Sequence, residues 1–505
     1  MNSSIKKLVI AGGGTAGWMA AAFLSAFFRK DQLSLTLVES PDIGTVGVGE
    51  APIPPIRVFN QMAGIDEAAF MRATQGTFKL GIEFVDWWRQ GERYMHAFGA
   101  PGQAIRGVSF HAYWLKARAS GYPHPLSDFW MSEIAARAGR FDWPSSDLRS
   151  PKSGLNYAYH FDAGLYAGFL RQLSEARGVS RVDGTIVEAR RNADGLIERL
   201  TLSDGRAIEG DFFIDCTGFR ALLIGQALGV PYDDWSRWLP ADRAVAVPCA
   251  LPDGASPVPY TRATARSAGW QWRINLQHRT GNGYVYVSDH ISDDAAADVL
   301  LNSLDGRALG DPRILRFTTG RRSARHGNCL ALGLASGFLE PLESTSIHFI
   351  QHGLIKFAAL FPTARHDPLS ASHYNRIMAE EMEQVRDFLV LHYHANARHG
   401  EALWDRMRAM EIPASLTEKI DLFRARGLAI FPGQTLFSEP NWLAVMLGQG
   451  VVPETWDPLA DTGDLDQIRE GFNAVRQAIA RTAQAMPAHA EVLRRFCQAA
   501  GGADA

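Results

Sequence analysis

The sequence is poor in the features that mark several common protein classes. Only four of its 505 residues are cysteine, at positions 216, 249, 329 and 497, and no two form a Cys-x-x-Cys pair. That excludes a disulfide framework and a cysteine zinc site, and it fits reduced thiols in a cytoplasmic protein. An excess of charge of one sign is also missing. Lys and Arg number 51 against 54 Asp and Glu, a formal net charge of −3. Nucleic-acid binders carry a basic excess, so no nucleic-acid partner is expected. Long hydrophobic runs are absent too. The longest, residues 18–28, is too short to span a bilayer, so no membrane partner is expected. Lys6 and Lys7 before an apolar run mimic a secretion signal, but residues 8–11 break at once into Gly12-Gly13-Gly14, which a signal core does not do. His392, His394 and His399 lie close together without an acidic or sulfur ligand at metal spacing. They read as ordinary helix histidines, and no metal is expected.

What is present is a globular composition. Hydrophobic residues make up 46% and charged residues 21%, which excludes wholesale disorder. At roughly 150 residues per domain, the length suggests about three domains. Tryptophan, normally scarcer than tyrosine, occurs 13 times against 12.

Along the chain, residues 8–11 read as a buried strand, followed by a glycine turn and an Ala-rich helix to about residue 29. A second strand over residues 35–39 completes a β-α-β unit. Asp194-Gly195 and Asp204-Gly205 are hairpin signals leading to a buried strand over 212–215. Residues 270–289 read as a hairpin. Trp270, Trp272, Ile274 and Leu276 share one face, and Asn282-Gly283 is expected to make the turn. Beyond about residue 345 the pattern turns helical, with Ile347, Ile350, Leu354, Phe357 and Phe361 on one face. An interruption is expected around Phe431-Pro432-Gly433. The expected architecture is α/β: a Rossmann-type nucleotide domain, a β-sheet inserted into it, and a mostly helical C-terminal region. Expected boundaries are 1–355 for the first domain, with inserted segments at about 85–160 and 230–300, and 356–505 for the helical region.

Gly12-x-Gly14-x-x-Gly17 lies between strand and helix, and Glu39 ends the next strand. The first glycine permits the tight turn, the second admits a pyrophosphate, and the third lets helix and sheet pack. The helix N-terminus, at Thr15 and Ala16, turns its positive dipole to the phosphates, and Glu39 can accept from a ribose hydroxyl. Gly47-Val48-Gly49-Glu50-Ala51-Pro52 and Asp215-Cys216-Thr217-Gly218 are further glycine-bearing turns. Several such turns suit a long, extended FAD better than NAD.

The segments Gly12-Gly13-Gly14-Thr15-Ala16-Gly17-Trp18, Gly47-Val48-Gly49-Glu50-Ala51, Phe78-Lys79-Leu80-Gly81, Asp215-Cys216-Thr217-Gly218-Phe219-Arg220, Trp270-Gln271-Trp272-Arg273-Ile274 and Gly337-Phe338-Leu339-Glu340-Pro341-Leu342-Glu343-Ser344-Thr345-Ser346 occur in this order over most of the chain. In these the sequence resembles the flavin-dependent tryptophan halogenases. The resemblance implies a flavin monooxygenase-like FAD domain holding the cofactor through Gly12, Gly14, Thr15, Ala16, Gly17, Glu39, Gly49, Glu50, Ala51, Gly333 and Leu342. It implies that reduced FAD, delivered by a separate flavin reductase, reacts with oxygen and with chloride or bromide to give hypohalous acid. Lys79 would hold or activate the electrophilic halogen, and Glu343 would polarise it or accept the ring proton. The halide would sit by Thr345 and Ser346, at a helix N-terminus with free N–H groups.

The lysine's neighbours agree with that role. Burial among Phe78, Leu80 and Ile82 disfavours an ammonium and lets a lysine act chemically near neutral pH. A solvated lysine at the end of an amphipathic helix is the plainer alternative. His96-Ala97-Phe98-Gly99 resembles the family's substrate-side segment. Phe98 and Trp270 would stack on a planar ring, with Trp272 and Trp442 nearby. Trp87, Trp88, Trp114 and Trp130 would border the same cavity.

Three departures from the family pattern stand out. Ser346 replaces a common glycine, and Asn275 a common proline. Residues 436–450 hold Glu439 and Trp442 but no tyrosine, where tryptophan-specific members carry a tyrosine pair and a nearby glutamate that grip the amino acid's charged ends. A buried zwitterion needs charge-matched partners, so indole or another electron-rich aromatic is expected as substrate rather than free tryptophan. Two other readings stay open: an FAD-dependent aromatic hydroxylase, which has no need of Lys79, and a non-catalytic flavin-binding protein. Oligomeric state is open, a homodimer included.

Overall fold

The computed structural model describes residues 5–40, 49–363, 365–429 and 435–497. Gly47, Val48 and the expected interruption at Phe431-Pro432-Gly433 lie outside the described residues. The chain forms two compact units, each drawn from three stretches: 1–76, 161–243 and 315–383 in the first, 77–160, 244–314 and 384–505 in the second. No helix among the described residues is long and apolar enough to cross a membrane.

The first unit is built on the expected β-α-β start: strand Lys7–Ala11, helix Thr15–Phe27 and strand Ser34–Glu39. Its six-stranded sheet runs Arg325–His326, Cys329–Ala331, Phe212–Asp215, Lys7–Ala11, Ser34–Glu39, Ser180–Asp183. Every pairing is parallel except the one at the Arg325–His326 edge. A parallel sheet covered on both faces needs continuous apolar strands, which is why Leu8, Ile10, Phe212, Phe213 and Ile214 are wholly buried. The two Asp-Gly turns join Ile186–Arg191, Ile197–Leu202 and Ala207–Glu209 into an antiparallel meander.

In the second unit, strands Thr280–Tyr286, Gly269–Asn275, Thr261–Arg266, Gly81–Val85 and Arg93–Ala97 are consecutive in a seven-stranded sheet. The expected turn at Asn282-Gly283 is not where the chain reverses. Trp272 pairs with Gly283 and Arg273 with Asn282 inside the ladder, and the turn closes from Leu276 N to Arg279 O at 2.9 Å. Gly283 has a different duty: a Cβ there would lie 2.0 Å from the Trp272 ring. The glycine makes room for a cross-strand indole. The C-terminal stretch is helical as expected, with helices Ala402–Ala409, Ala414–Arg426, Glu439–Gly448, Leu465–Ala485 and His489–Cys497.

Candidate functional site

In the first unit the glycine turn is shaped by what crowds it. Gly12 has φ +108°, and a Cβ on it would stand 2.3 Å from the Cys216 carbonyl oxygen. The turn after strand Phe212–Asp215 thus presses against the fingerprint. Asp215, wholly buried, is consumed by that turn. One oxygen accepts from Thr217 N and Oγ1 (3.0 and 2.6 Å), the other from Leu223 N and Ile224 N (2.9 and 2.8 Å). Gly14 precedes helix Thr15–Phe27 without any side-chain cap, and among the described residues, its chain neighbours aside, no atom lies within 4 Å of where its Cβ would be. Free N–H groups of Thr15, Ala16 and Gly17 therefore face open room at a helix N-terminus, which suits a pyrophosphate.

Glu39 lies over this turn, so that a Cβ on Gly13 would collide with its carboxylate. The carboxylate accepts from Trp18 Nε1 (3.2 Å) and pairs with Arg181. A ribose hydroxyl would share it with those donors. Trp18, a member of the fingerprint segment, is thereby tied to Glu39 through its indole N–H. Gly333 (φ +62°) opens the short turn Gly333–Ala335, its Cβ position 3.0 Å from Ala16 Cβ. Gly49 and Glu50 form a short strand paired with Asp162 and Phe161. Ala51 and Leu342 are buried. These residues fit the extended FAD that the sequence implies.

The turn Pro341–Glu343 carries the wholly buried Glu343, and Ser344 follows with φ +61°, an unusual conformation for a residue with a side chain. Thr345 then occupies the N-cap of helix Ser346–Ala359, but its hydroxyl makes no cap bond. Its Oγ1 is buried and has no hydrogen-bond partner among the described residues. An orphaned hydroxyl beside free first-turn N–H groups is what an anion would satisfy.

In the second unit Lys79 ends the strand Thr77–Lys79 and is wholly buried, not a solvated helix residue. Its Nζ stands 5.5 Å from the centre of the Phe98 ring. Leu80 N donates to Pro259 O (2.7 Å) and Phe98 N to Leu80 O (2.8 Å), which ties both residues' segments together. A Cβ on Gly81 would come within 2.6 Å of His96 O, so the glycine admits this close pairing.

Two histidines that the sequence reading missed brace this strand. Thr77 Oγ1 donates to Asn275 O (2.7 Å), so it accepts from His160 Nδ1–H (2.9 Å), and His160 Nε2 accepts from Thr261 Oγ1 (2.9 Å). His489 Nε2 accepts from Phe78 N (3.2 Å), while its Nδ1–H donates to Pro257 O (2.8 Å). Burial, then the charge of Lys79 and His489, holds the His160 imidazole well below its ordinary pKa. Burial brings His489 down to about 4. Both rings are thus neutral at physiological pH. No local motif signals them, since their partners lie far away in sequence.

The aromatic residues divide. His96 Nε2 meets Asn441 Nδ2 at 3.1 Å and faces Phe388 and Phe437. Trp442 donates from Nε1 to Phe437 O (3.1 Å) and meets Phe388 edge-on. Glu439, the acid of the same segment, accepts from Ser109 Oγ with both oxygens (3.2 and 3.1 Å) and has His111 Nδ1 3.8 Å away. Trp270 and Trp272 are both buried, their ring centroids 6.1 Å apart. Among the described residues the Phe98 and Trp270 rings do not touch.

Trp87 fills core between Phe84, Trp270, Tyr393 and Trp404. Trp114 donates to His124 O (3.0 Å), and Trp88 lies against Gly450. A buried indole hides about 200 Å², worth roughly 5 kcal/mol as an upper bound. Packing accounts for most of the tryptophan excess.

Comparison with known proteins points one way. Residues 7–464 match the sequence model of the family described as tryptophan halogenase. The tryptophan 6-halogenase SttH of Streptomyces toxytricini is 35% identical over 509 residues, covering 96% of this chain and 97% of its own. The 7-chloro-L-tryptophan 6-halogenase KtzR of Kutzneria is 36% identical over 532 residues, covering 97% and 99%. Among solved structures, a flavin-dependent halogenase from Xanthomonas campestris is similar with a TM-score of 0.94 at 50% identity, covering 98% of this chain and 99% of its own.

Proposed function

Since the chain belongs to the tryptophan halogenase family, and is thereby a flavin-dependent enzyme, we propose that it places chloride or bromide on an electron-rich aromatic such as indole or an indole derivative. Reduced FAD from a separate flavin reductase would, with O2 and halide, supply hypohalous acid. Lys79 then holds or activates the halogen for attack by the ring, whose displaced hydrogen leaves as a proton. Water is the other product.

The observation that carries this reading is the complete burial of Lys79. A buried amine excludes bulk water from the electrophile it holds, and it sits against the apolar face of Phe98. His160 and His489 keep the strand fixed without adding positive charge. Thr345 and Ser346 supply the halide seat, and Glu343 polarises the halogen or takes the ring proton. His96, Phe98, Trp270, Trp272 and Trp442 are the aromatic substrate's neighbours.

A substrate without a charged amino-acid end is supported by the segment 436–450. It has no tyrosine, lysine, arginine or histidine, and the Ser109 hydroxyl shares its one proton between the two oxygens of the segment's one acid, Glu439. The carboxylate end of a zwitterion would find no cationic or tyrosine partner in this segment. Competition of indole against tryptophan, read by product mass with each halide, tests this. Preferred turnover of indole is expected, and a clear preference for tryptophan would overturn the substrate assignment.

A further inference from the structure

The first unit also brings together three ligand-type side chains that the proposed reaction does not use. His348 and His352 stand one turn apart on helix Ser346–Ala359, and Glu381 comes from helix Pro368–His394. His348 Nε2 lies 3.0 Å from one Glu381 oxygen, and His352 Nδ1 contacts the other. The three ligand atoms all lie within 4.8 Å of one another. The side chains are largely buried, with 8%, 20% and 12% exposure for His348, His352 and Glu381.

We propose that His348, His352 and Glu381 bind one divalent first-row transition-metal ion of zinc-like preference, with water in the fourth position. Two neutral imidazoles and one carboxylate are the donors such ions favour, whereas Ca²⁺ and Mg²⁺ want oxygen-only sets. Two histidines at i and i+4 present their nitrogens on one helix face. A cation replaces the two contacts with Glu381 by three bonds to itself, and protons on the ligating ring nitrogens are displaced as it binds. His348 Nδ1 is buried and has no partner among the described residues. Lacking an acceptor behind that ring, the site should bind about 10- to 100-fold more weakly than a fully supported one. The ion would clip the two helices together two residues after Ser346, at the first turn of the helix that follows Thr345.

The test is titration of untagged, chelator-treated protein with Co²⁺, followed by its visible absorption, and with Zn²⁺ by calorimetry, using Mg²⁺ and Ca²⁺ as controls. One equivalent of Co²⁺ and Zn²⁺ is expected, with a rise in Tm on binding and no response to Mg²⁺ or Ca²⁺. Glu381→Gln and His352→Gln should each weaken binding at least tenfold. Absence of saturable one-to-one binding to the unmodified protein overturns the proposal, as does unchanged affinity in both variants. Neither readout depends on turnover, so failure here leaves the halogenase reading intact.

Discussion

The His489 imidazole accepts the backbone N–H of Phe78 at 3.2 Å, across 411 residues of chain and one position before Lys79. The last described helix thereby fixes the strand that carries the proposed reactive amine. His489→Ala should leave the Phe78 N–H and the Pro257 carbonyl without these partners, a loss of about 2–3 kcal/mol. Thermal unfolding should show it, and kcat should fall more than flavin affinity.

The same histidine gives stability a pH dependence of known sign. Its folded pKa of about 4 lies below the ordinary value of 6.5, so the unfolded chain binds the proton more readily. Stabilisation by the neutral ring is complete above about pH 6.5 and is lost as pH falls toward 4, by roughly 3 kcal/mol in all. Glu133, raised to about 7 mainly by burial, works in the opposite direction over nearly the same range. The clean measurement is therefore a difference. The stability gap between the unmodified protein and His489→Gln should shrink as pH falls from 7 to 4.

Gly283→Ala should be destabilising by more than about 2 kcal/mol, because its Cβ would meet the Trp272 ring at 2.0 Å in a packed strand. Had Gly283 been a turn residue, the substitution would strain only a surface loop. Chemical denaturation distinguishes the two.

That case also marks how much could be read from the sequence. The β-α-β start, the Asp-Gly meander and the parallel core strands follow from local pattern, because turn chemistry and hydrophobic period act within a few residues. Asn282-Gly283 has the same local signature as a turn, yet the requirement that decides Gly283 is a ring on the facing strand. Lys79, Glu343 and Thr345 follow from resemblance to a family, and local physics alone favours a plainer role for Lys79. His160 and His489 were invisible because Thr77, Thr261, Phe78 and Pro257 are brought to them only by the fold. The His348 and His352 spacing was available, but Glu381 was not connected to it by any short pattern.

Asp215→Asn should lower Tm by several degrees. An amide cannot accept from Thr217, Leu223 and Ile224 together, and its NH2 would face one pair of donors, at a cost of about 2–4 kcal/mol. Flavin affinity should fall as well, since the Cys216 carbonyl that crowds Gly12 follows directly.

Thr345→Val keeps the shape and removes the buried hydroxyl, which has no hydrogen-bond partner among the described residues. Stability should rise slightly or stay unchanged, because an unsatisfied group is lost. If the hydroxyl serves the halide, KM for bromide should rise several-fold with KM for the aromatic unchanged. Steady-state kinetics with each substrate varied separately reads this.

The decisive measurement is the product mass from indole, bromide, O2 and reduced FAD, for the unmodified protein and for Lys79→Ala. The unmodified enzyme should yield a product with bromine's isotope doublet. Lys79→Ala should yield none while still binding FAD, as judged by flavin fluorescence. A hydroxylated product from the unmodified enzyme, or bromination at full rate by Lys79→Ala, would contradict the assignment of Lys79.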